Sequence, residues 1–365
     1  LVNCSQHSAP YDIPPAWESV LRSITEQAGL CIVIGPTDAG KSSFCLLAAN
    51  FALQAGRKAA FLDTDPGQSH LGPPAALGLA LVERPLARLE EALPHGMYFI
   101  GATSPVGHLL EVAVGAARLA QRARQIGADL IIVNTSGLVR GGPARALKAA
   151  KISLLSPSHI ISISPRGETE GILAGVRGRH FPVVYRLFPS RRAVRRDAEE
   201  RRRRREGRFA AYFHSAGEIR VDFSGLAIQG GGWLSGEPLE GVSLSYAEEC
   251  LEAEVLWGER TAEGAFFIVQ GTASRFGERS LAESFGGEIK VVEKAFLENL
   301  LVGLLDQEGE DLGLGMIREI DFAKKKMLLF SPIARSEHIG GLRLGNIRIT
   351  PSGEELGGLP ASFWG

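Results

Sequence analysis

The hydrophobic and polar positions of this chain fall into two textures that meet near residue 216. Before it, short and nearly continuous apolar runs recur at 30–34, 58–63, 97–100, 130–134, 159–163 and 183–187. Runs so short and so uniformly apolar predict strands buried on both faces of a sheet. Between them, apolar residues return every three or four positions at 16–27, 109–125, 144–151 and 168–176, which predicts helices. Strands alternating with helices predict an α/β domain with a mostly parallel sheet, covered on both faces, whose ligands gather at the carboxyl ends of the strands.

From residue 217 the pattern shortens. Alternating runs at 218–223 and 266–269 are punctuated by Gly230-Gly231-Gly232, Gly286-Gly287 and Gly340-Gly341, and one stretch, 292–305, reads as helical. Short strands with glycine turns predict a smaller β-rich C-terminal domain. The expected organisation is therefore 1–216 followed by 217–365, with an Arg-rich segment at about 186–213 closing the first domain.

Composition changes this picture little. A chain of 365 residues suits two domains, and a net charge of −1 announces no general affinity for nucleic acid. Cys4, Cys31, Cys45 and Cys250 lack Cys-x-x-Cys spacing and nearby paired histidines, which argues for reduced thiols rather than zinc or a disulfide framework. With no run of 18 apolar residues and no signal pattern, the expectation is a soluble, cytoplasmic protein without a membrane partner.

Candidate chemistry is concentrated at the ends of the predicted strands. After 30–34 comes Gly35-Pro36-Thr37-Asp38-Ala39-Gly40-Lys41-Ser42, then the helical Ser43-Phe44-Cys45-Leu46-Leu47-Ala48-Ala49. A strand feeding Gly-x-x-x-x-Gly-Lys-Ser into a helix is the setting of a phosphate loop, in which backbone N–H groups and a helix N-terminus face phosphate oxygens. Lys41 is then expected on the β- and γ-phosphates and Ser42 in a Mg²⁺ shell. A bare glycine turn with a solvated lysine would lack these flanks. Trp17, with Val20, Leu21 and Ile24 on one helical face, is expected to pack beneath this fold rather than stack on a base.

The run 58–63 ends in Asp63-Thr64-Asp65-Pro66-Gly67-Gln68-Ser69. Phosphoryl transfer needs one carboxylate at a strand end for the metal and another group for the acceptor hydroxyl. Asp63 is assigned to the metal side, Asp65 to the acceptor and Gln68 to metal-bound water; a simple turn with a capping acid is the plainer alternative. Thr135-Ser136-Gly137 follows the run 130–134, and it could clamp phosphate or substrate or be an ordinary strand-to-loop turn. Lastly, Arg191, Arg192, Arg195, Arg196, Arg201 to Arg205 and Arg208 occupy a segment read as helical, ending at Phe209-Ala210-Ala211-Tyr212-Phe213. Only two or three of these can reach one site. The others would meet solvent, Glu199, Glu200 and Glu206, or a nucleic-acid backbone.

Together these motifs, in this order, resemble the polynucleotide 5′-hydroxyl kinase family, which includes pre-mRNA cleavage-factor and ribosomal-RNA-processing kinases and archaeal relatives. Asn299 to Leu304, Leu312 to Gly315 and Ser331-Pro332-Ile333 are similar to that family's final domain. The resemblance implies ATP and Mg²⁺ as cofactors and a nucleic-acid 5′-hydroxyl end, RNA favoured, as partner. It implies residues 35–43 as the ATP loop, Asp65 as general base, residues 135–137 as a clasp, and Arg196 and Arg201 as lid arginines, with Arg202 and Arg205 one slip away. Protein partners are not implied. Two departures stand out: Leu138 where eukaryotic members carry Trp, and a stretch before Gly35 too short for their N-terminal β domain. A regulatory ATPase of the partitioning or metal-insertion type is the alternative, although Pro36 and Thr37 stand where its signature lysine belongs. GTP use would require a base-reading Asn/Thr-Lys-x-Asp, which is missing. A non-catalytic ATP-bound scaffold is a third reading.

Overall fold

A computed structural model describes residues 13–359, so Cys4 and the lead around Pro10 lie outside the described residues. The chain divides into two units, Leu1–Arg205 and Glu206–Gly365.

In the first unit, α1 (Pro15–Gln27) leads into β1 (Gly29–Ile34), α2 (Lys41–Gln54), β2 (Ala59–Thr64), β3 (Ala76–Val82) and β4 (Leu93–Phe99). Then follow α3 (Leu109–Gln125), β5 (Leu130–Thr135), α4 (Gly141–Leu155), β6 (His159–Ile163), α5 (Glu170–Leu173) and β7 (Val183–Leu187). The sheet order is β4-β3-β2-β5-β1-β6-β7. Strands β2, β5, β1, β6 and β7 run parallel, while β3 pairs antiparallel with both β2 and the edge strand β4. Side chains alternate across a strand, so β1 sends Cys31 and Val33 to the layer of α1 and α2, and Leu30, Ile32 and Ile34 to the layer of α3 and α4. Helix α2 is apolar nearly all round because it is enclosed: Phe44 to Ala49 and Ala52 are all buried.

Helix α6 (Ala198–Phe213) contains the division between the units. Its observed start corrects the sequence reading, because Arg191, Arg192, Arg195 and Arg196 precede the helix in irregular chain. The second unit holds β8 (Gly217–Asp222), β9 (Ala227–Gln229), β10 (Glu237–Pro238), α7 (Val242–Leu251), β11 (Glu254–Arg260), β12 (Gly264–Gln270) and α8 (Arg275–Phe285). It continues through β13 (Glu288–Glu293), β14 (Leu300–Leu305), β15 (Asp311–Asp321), β16 (Lys326–Ser331), β17 (Gly341–Ile349) and β18 (Glu355–Gly358). One sheet runs β18-β17-β14-β15-β16-β8 and a second β10-β11-β12-β13. Phe266 and Ile268 of β12 pack with Leu300 and Val302 of the larger sheet, while Phe267 and Val269 pack under α7 and α8.

The helix expected over 292–305 is not one. Its C-terminal part is β14, buried at every position between β15 and β17. A continuous apolar run buried on both faces carries no period that separates strand from helix. The helices of this unit are α7 and α8, which the sequence reading missed.

Candidate active site

The three chemistry-bearing stretches sit at the carboxyl ends of three adjacent parallel strands. In the sheet β2-β5-β1, Asp63 is level with Asn134, Thr64 with Thr135, and Asn134 with Val33, so the loops after all three strands open at one edge. This is where an open α/β sheet places its ligands.

The loop 35–40 joins α2 through Gly40, whose φ of +93° is a conformation that favours glycine. Beneath it lies Trp17, 2% exposed, edge-on to Phe44 and donating its indole N–H to the Phe188 carbonyl at 2.9 Å. Trp17 is thus core packing, as expected. Lys41 is buried and its Nζ donates to the Pro36 carbonyl at 2.8 Å. Burial pushes its ammonium below the ordinary range, with the charge of Asp65 the first of several pulling the other way. Asp38, at φ +60°, points back to the Arg-rich segment: it accepts the Arg196 backbone N–H at 3.0 Å, and the guanidiniums of Arg196 and Arg201 lie 3.7 and 3.6 Å from its carboxylate. The two lid candidates therefore share one anchor on the phosphate loop. Ser43 is exposed on the first turn of α2.

Asp63 and Asp65 differ sharply. Asp63 has no exposure; its Oδ1 accepts from Asn134 Nδ2 at 3.0 Å and the Asp65 N–H at 3.2 Å, and its Oδ2 from the His70 N–H at 2.6 Å. Burial raises its pKa, against the pull of the His70 N–H and the Asn134 amide that donate to it. Asp65 is half-buried, and its Oδ1 accepts the N–H groups of Gly67 and Gln68 at 3.0 and 3.2 Å. That fixes one oxygen in a turn and leaves Oδ2 without a hydrogen bond among the described residues. Gln68 bonds only within its own loop, Nε2 to the Gly67 carbonyl at 2.9 Å.

Thr135 and Ser136 are buried, and Gly137 approaches the phosphate loop so closely that a Cβ there would stand 2.1 Å from Thr37 Oγ1 and 2.6 Å from Thr37 N. Only glycine lets these two loops meet. Behind them, Lys148 and Lys151 of α4 have no exposure at all. Lys148 Nζ donates to the Ser136 carbonyl at 2.8 Å, and Lys151 Nζ to Thr64 Oγ1 at 2.8 Å and the Thr64 carbonyl at 3.2 Å. Burial drives both ammonium groups to lower pKa, Lys151 to about 7.

Sequence reasoning missed these lysines and also His70, which bonds both Asp63 and Ser42. The lysines left a signal: they belong to the stripe Ala144, Leu147, Lys148, Lys151, Ile152, Leu155, which is the buried face of α4. His70 left none beyond its place next to Ser69.

The donors fit Mg²⁺. Ser42 Oγ, the Asp63 carboxylate and Asn134 Oδ1, a buried oxygen with no partner among the described residues, are all hard oxygen ligands. No group of three or more His, Cys, Asp or Glu gathers as a metal cage among the described residues, and Mg²⁺ beside nucleotide phosphates needs only one or two carboxylates. No helix among the described residues is long and apolar enough to cross a membrane.

Residues 35–215 match the model of the mRNA cleavage and polyadenylation factor CLP1 P-loop family. The chain is 30% identical over 348 residues to a polyribonucleotide 5′-hydroxyl-kinase of Thermococcus kodakarensis, covering 95% of this chain and 96% of that protein. A similarly named protein of Pyrococcus furiosus is 29% identical over 354 residues, covering 96% of each. A CLP1 homolog of Aedes aegypti is 30% identical over 200 residues, which is 51% of this chain and 46% of that protein. The solved structure of wild-type Clp1p with Pcf11p has the same fold, with a TM-score of 0.62, 12% identity, and coverage of 90% of this chain and 77% of that one.

Proposed function

The chain belongs to the polyribonucleotide 5′-hydroxyl-kinase family, and from that premise we propose that it transfers the γ-phosphate of ATP to the 5′-hydroxyl end of RNA. The observation that carries this reading is the meeting of phosphate loop, acid pair and clasp at the carboxyl ends of β1, β2 and β5, with Arg196 and Arg201 gathered on Asp38. A DNA end offers the same nucleophile and is the comparison substrate.

In this reading the 5′-oxygen attacks the γ-phosphorus, the bond to the β,γ-bridging oxygen breaks, ADP departs, and the hydroxyl proton passes to Asp65. Little covalent work falls to the protein, so positioning and charge placement dominate. The amides of 35–43 cradle the phosphates, and Lys41 exchanges the neutral Pro36 carbonyl for phosphate oxygens. Ser42 and Asp63 would hold Mg²⁺, with Gln68 beside them, and the ion would supply neutralisation of the phosphate charge. Thr135 to Gly137 hold the incoming end against the phosphate loop. Arg196 and Arg201, released from Asp38 to the γ-phosphate, supply ~10³–10⁵ in rate.

The test is incubation with γ-labelled ATP, Mg²⁺ and 5′-hydroxyl RNA or DNA oligonucleotides. Wild type labels the oligonucleotide; Lys41→Ala and Asp65→Asn each lose ~10²–10⁴ of the rate. Label appearing only as inorganic phosphate would identify a regulatory ATPase instead, and ATP bound but unconsumed a scaffold.

A further inference from the structure

His70 touches the metal-side residues on two fronts. Its backbone N–H donates to Asp63 Oδ2 at 2.6 Å, and its ring Nε2 lies 2.8 Å from Ser42 Oγ. The other ring nitrogen, Nδ1, lies 2.9 Å from Glu90 Oε1, on the 3-10 turn Leu89–Glu91. Glu90, His70 and Ser42 thus form one line of side-chain contacts that ends at the first turn of α2.

The direction of the bonds along that line follows from what each group can do. A carboxylate only accepts, so Glu90 selects the tautomer with the proton on Nδ1. Nε2 of that tautomer is an acceptor, and the partner it accepts from is the Ser42 hydroxyl. A hydroxyl has one proton and two lone pairs. With the proton committed to His70, both lone pairs of Ser42 Oγ are left facing away from the imidazole. Without His70 the hydroxyl rotates freely, and in many of its orientations the proton points where a cation would sit.

We infer that His70, its tautomer set by Glu90, is a positioning residue that orients the Ser42 hydroxyl as a metal ligand. The inference rests on the reading that Ser42 belongs to the Mg²⁺ shell of the bound nucleotide. It assigns a role to two residues outside every recognised motif of the chain. It also separates two functions within one residue, because the backbone of His70 serves Asp63 while its ring serves Ser42. A side-chain substitution therefore leaves the Asp63 contact intact.

The experiment measures binding of a fluorescent ATP analogue to the full chain, without oligonucleotide, in EDTA and in Mg²⁺; the ratio of the two affinities is the metal increment. In EDTA, binding is carried by loop amides and Lys41, so the His70 and Glu90 variants are expected to stay within about twofold of wild type. His70→Ala is expected to lose ~10-fold or more of the metal increment, the range seen when a ligand's outer partner is removed. His70→Gln, whose side-chain oxygen can still accept from Ser42, is expected to retain most of it. Glu90→Ala, which leaves the ring in place but frees its tautomer, is expected to lose a few-fold. If His70→Ala does not fold, Glu90→Ala and His70→Gln carry the test. Ser42→Ala distinguishes the two levels of the inference. A full metal increment in Ser42→Ala overturns both the ligand reading and the role of His70. A loss in Ser42→Ala beside full increments in His70→Ala and Glu90→Ala overturns the role of His70 alone.

Discussion

Arg343 in the second unit and Lys151 in the first are both buried cations, yet their surroundings differ in kind. Arg343 closes on Asp311, Nη1 to both carboxylate oxygens at 3.1 and 3.2 Å, and on Gln229 Oε1 at 3.1 Å. In the first unit, Lys41, Lys148 and Lys151 rest on carbonyl and hydroxyl oxygens, and none forms an ion pair with a carboxylate among the described residues. The burial of charge without a counter-ion is costly, and an ion pair repays only part of that cost. A closed pair such as Arg343–Asp311 is explained by the fold alone. Lys41 on a neutral acceptor at the end of β1 fits the reading that an anion arrives there, whereas Lys148 and Lys151, wholly buried, tie Ser136 and Thr64 to α4.

The largest effect expected from this contrast is structural. Arg343→Met takes the guanidinium partner from the Asp311 carboxylate, and should cost ~3–5 kcal/mol of stability, read from urea unfolding. Phosphotransfer per folded molecule should stay near wild type. An unchanged urea midpoint would remove the contrast from the second unit.

The next effect should reverse that pattern. Lys148→Met and Lys151→Met remove cations that have no carboxylate partner, so stability is expected to stay within ~1 kcal/mol of wild type or to rise. Activity should fall by ~10–100-fold, because each lysine fixes a catalytic loop from behind and a misplacement near 1 Å is costly. The loss should appear in the KM for oligonucleotide with Lys148→Met, which frees the Ser136 carbonyl, and in kcat with Lys151→Met, which frees Thr64 between the two aspartates. Variants as active as wild type would show that these lysines are packing.

The same contrast explains what the sequence disclosed. Strands β1, β2, β5 and β6 were legible because burial on both faces leaves a short, uniformly apolar run, and the phosphate loop because its glycines, lysine and flanking elements are adjacent in the chain. Family motifs marked residues of the loops that follow β1, β2 and β5. They did not mark His70, Lys148 or Lys151, which act through another residue and are brought to the site only by the fold. The lysines could have been noticed as two cations on the apolar stripe of α4. In the second unit, burial of β14 on both faces erased the alternation that identifies a strand, while β3 was obscured because Ala76 to Val82 continues a Pro- and Gly-rich approach with no turn signal of its own. The arginine run was legible as charge but not as geometry: Arg196 reaches Asp38 from irregular chain before α6, whereas helical spacing had placed it on the helix.

The smallest expected effect, and the most selective, is in the pH dependence of stability. Lys151 has its pKa lowered by burial to about 7 in the folded chain, against an ordinary lysine value in the unfolded one. Between those two values the unfolded chain binds more protons than the folded chain, so stability rises with pH across that window. Below the folded value both states are protonated and the full penalty of a buried ammonium remains. Lys148 and Lys41 act with the same sign, whereas burial of Cys31 and Cys45 raises their thiol pKa and opposes the trend once unfolded thiols ionise, near pH 8.5. The clean interval is therefore about pH 7 to 8.5, and within it Lys151 should contribute a gain on the order of 1 kcal/mol. Unfolding of wild type and Lys151→Met at matched pH reports this residue together with its charge coupling to Lys148. The wild-type curve should climb relative to the variant's as pH rises. Parallel curves would mean that Lys151 keeps its charge on neutral oxygens without penalty, and the distinction drawn from Arg343 and Asp311 would lose its energetic basis.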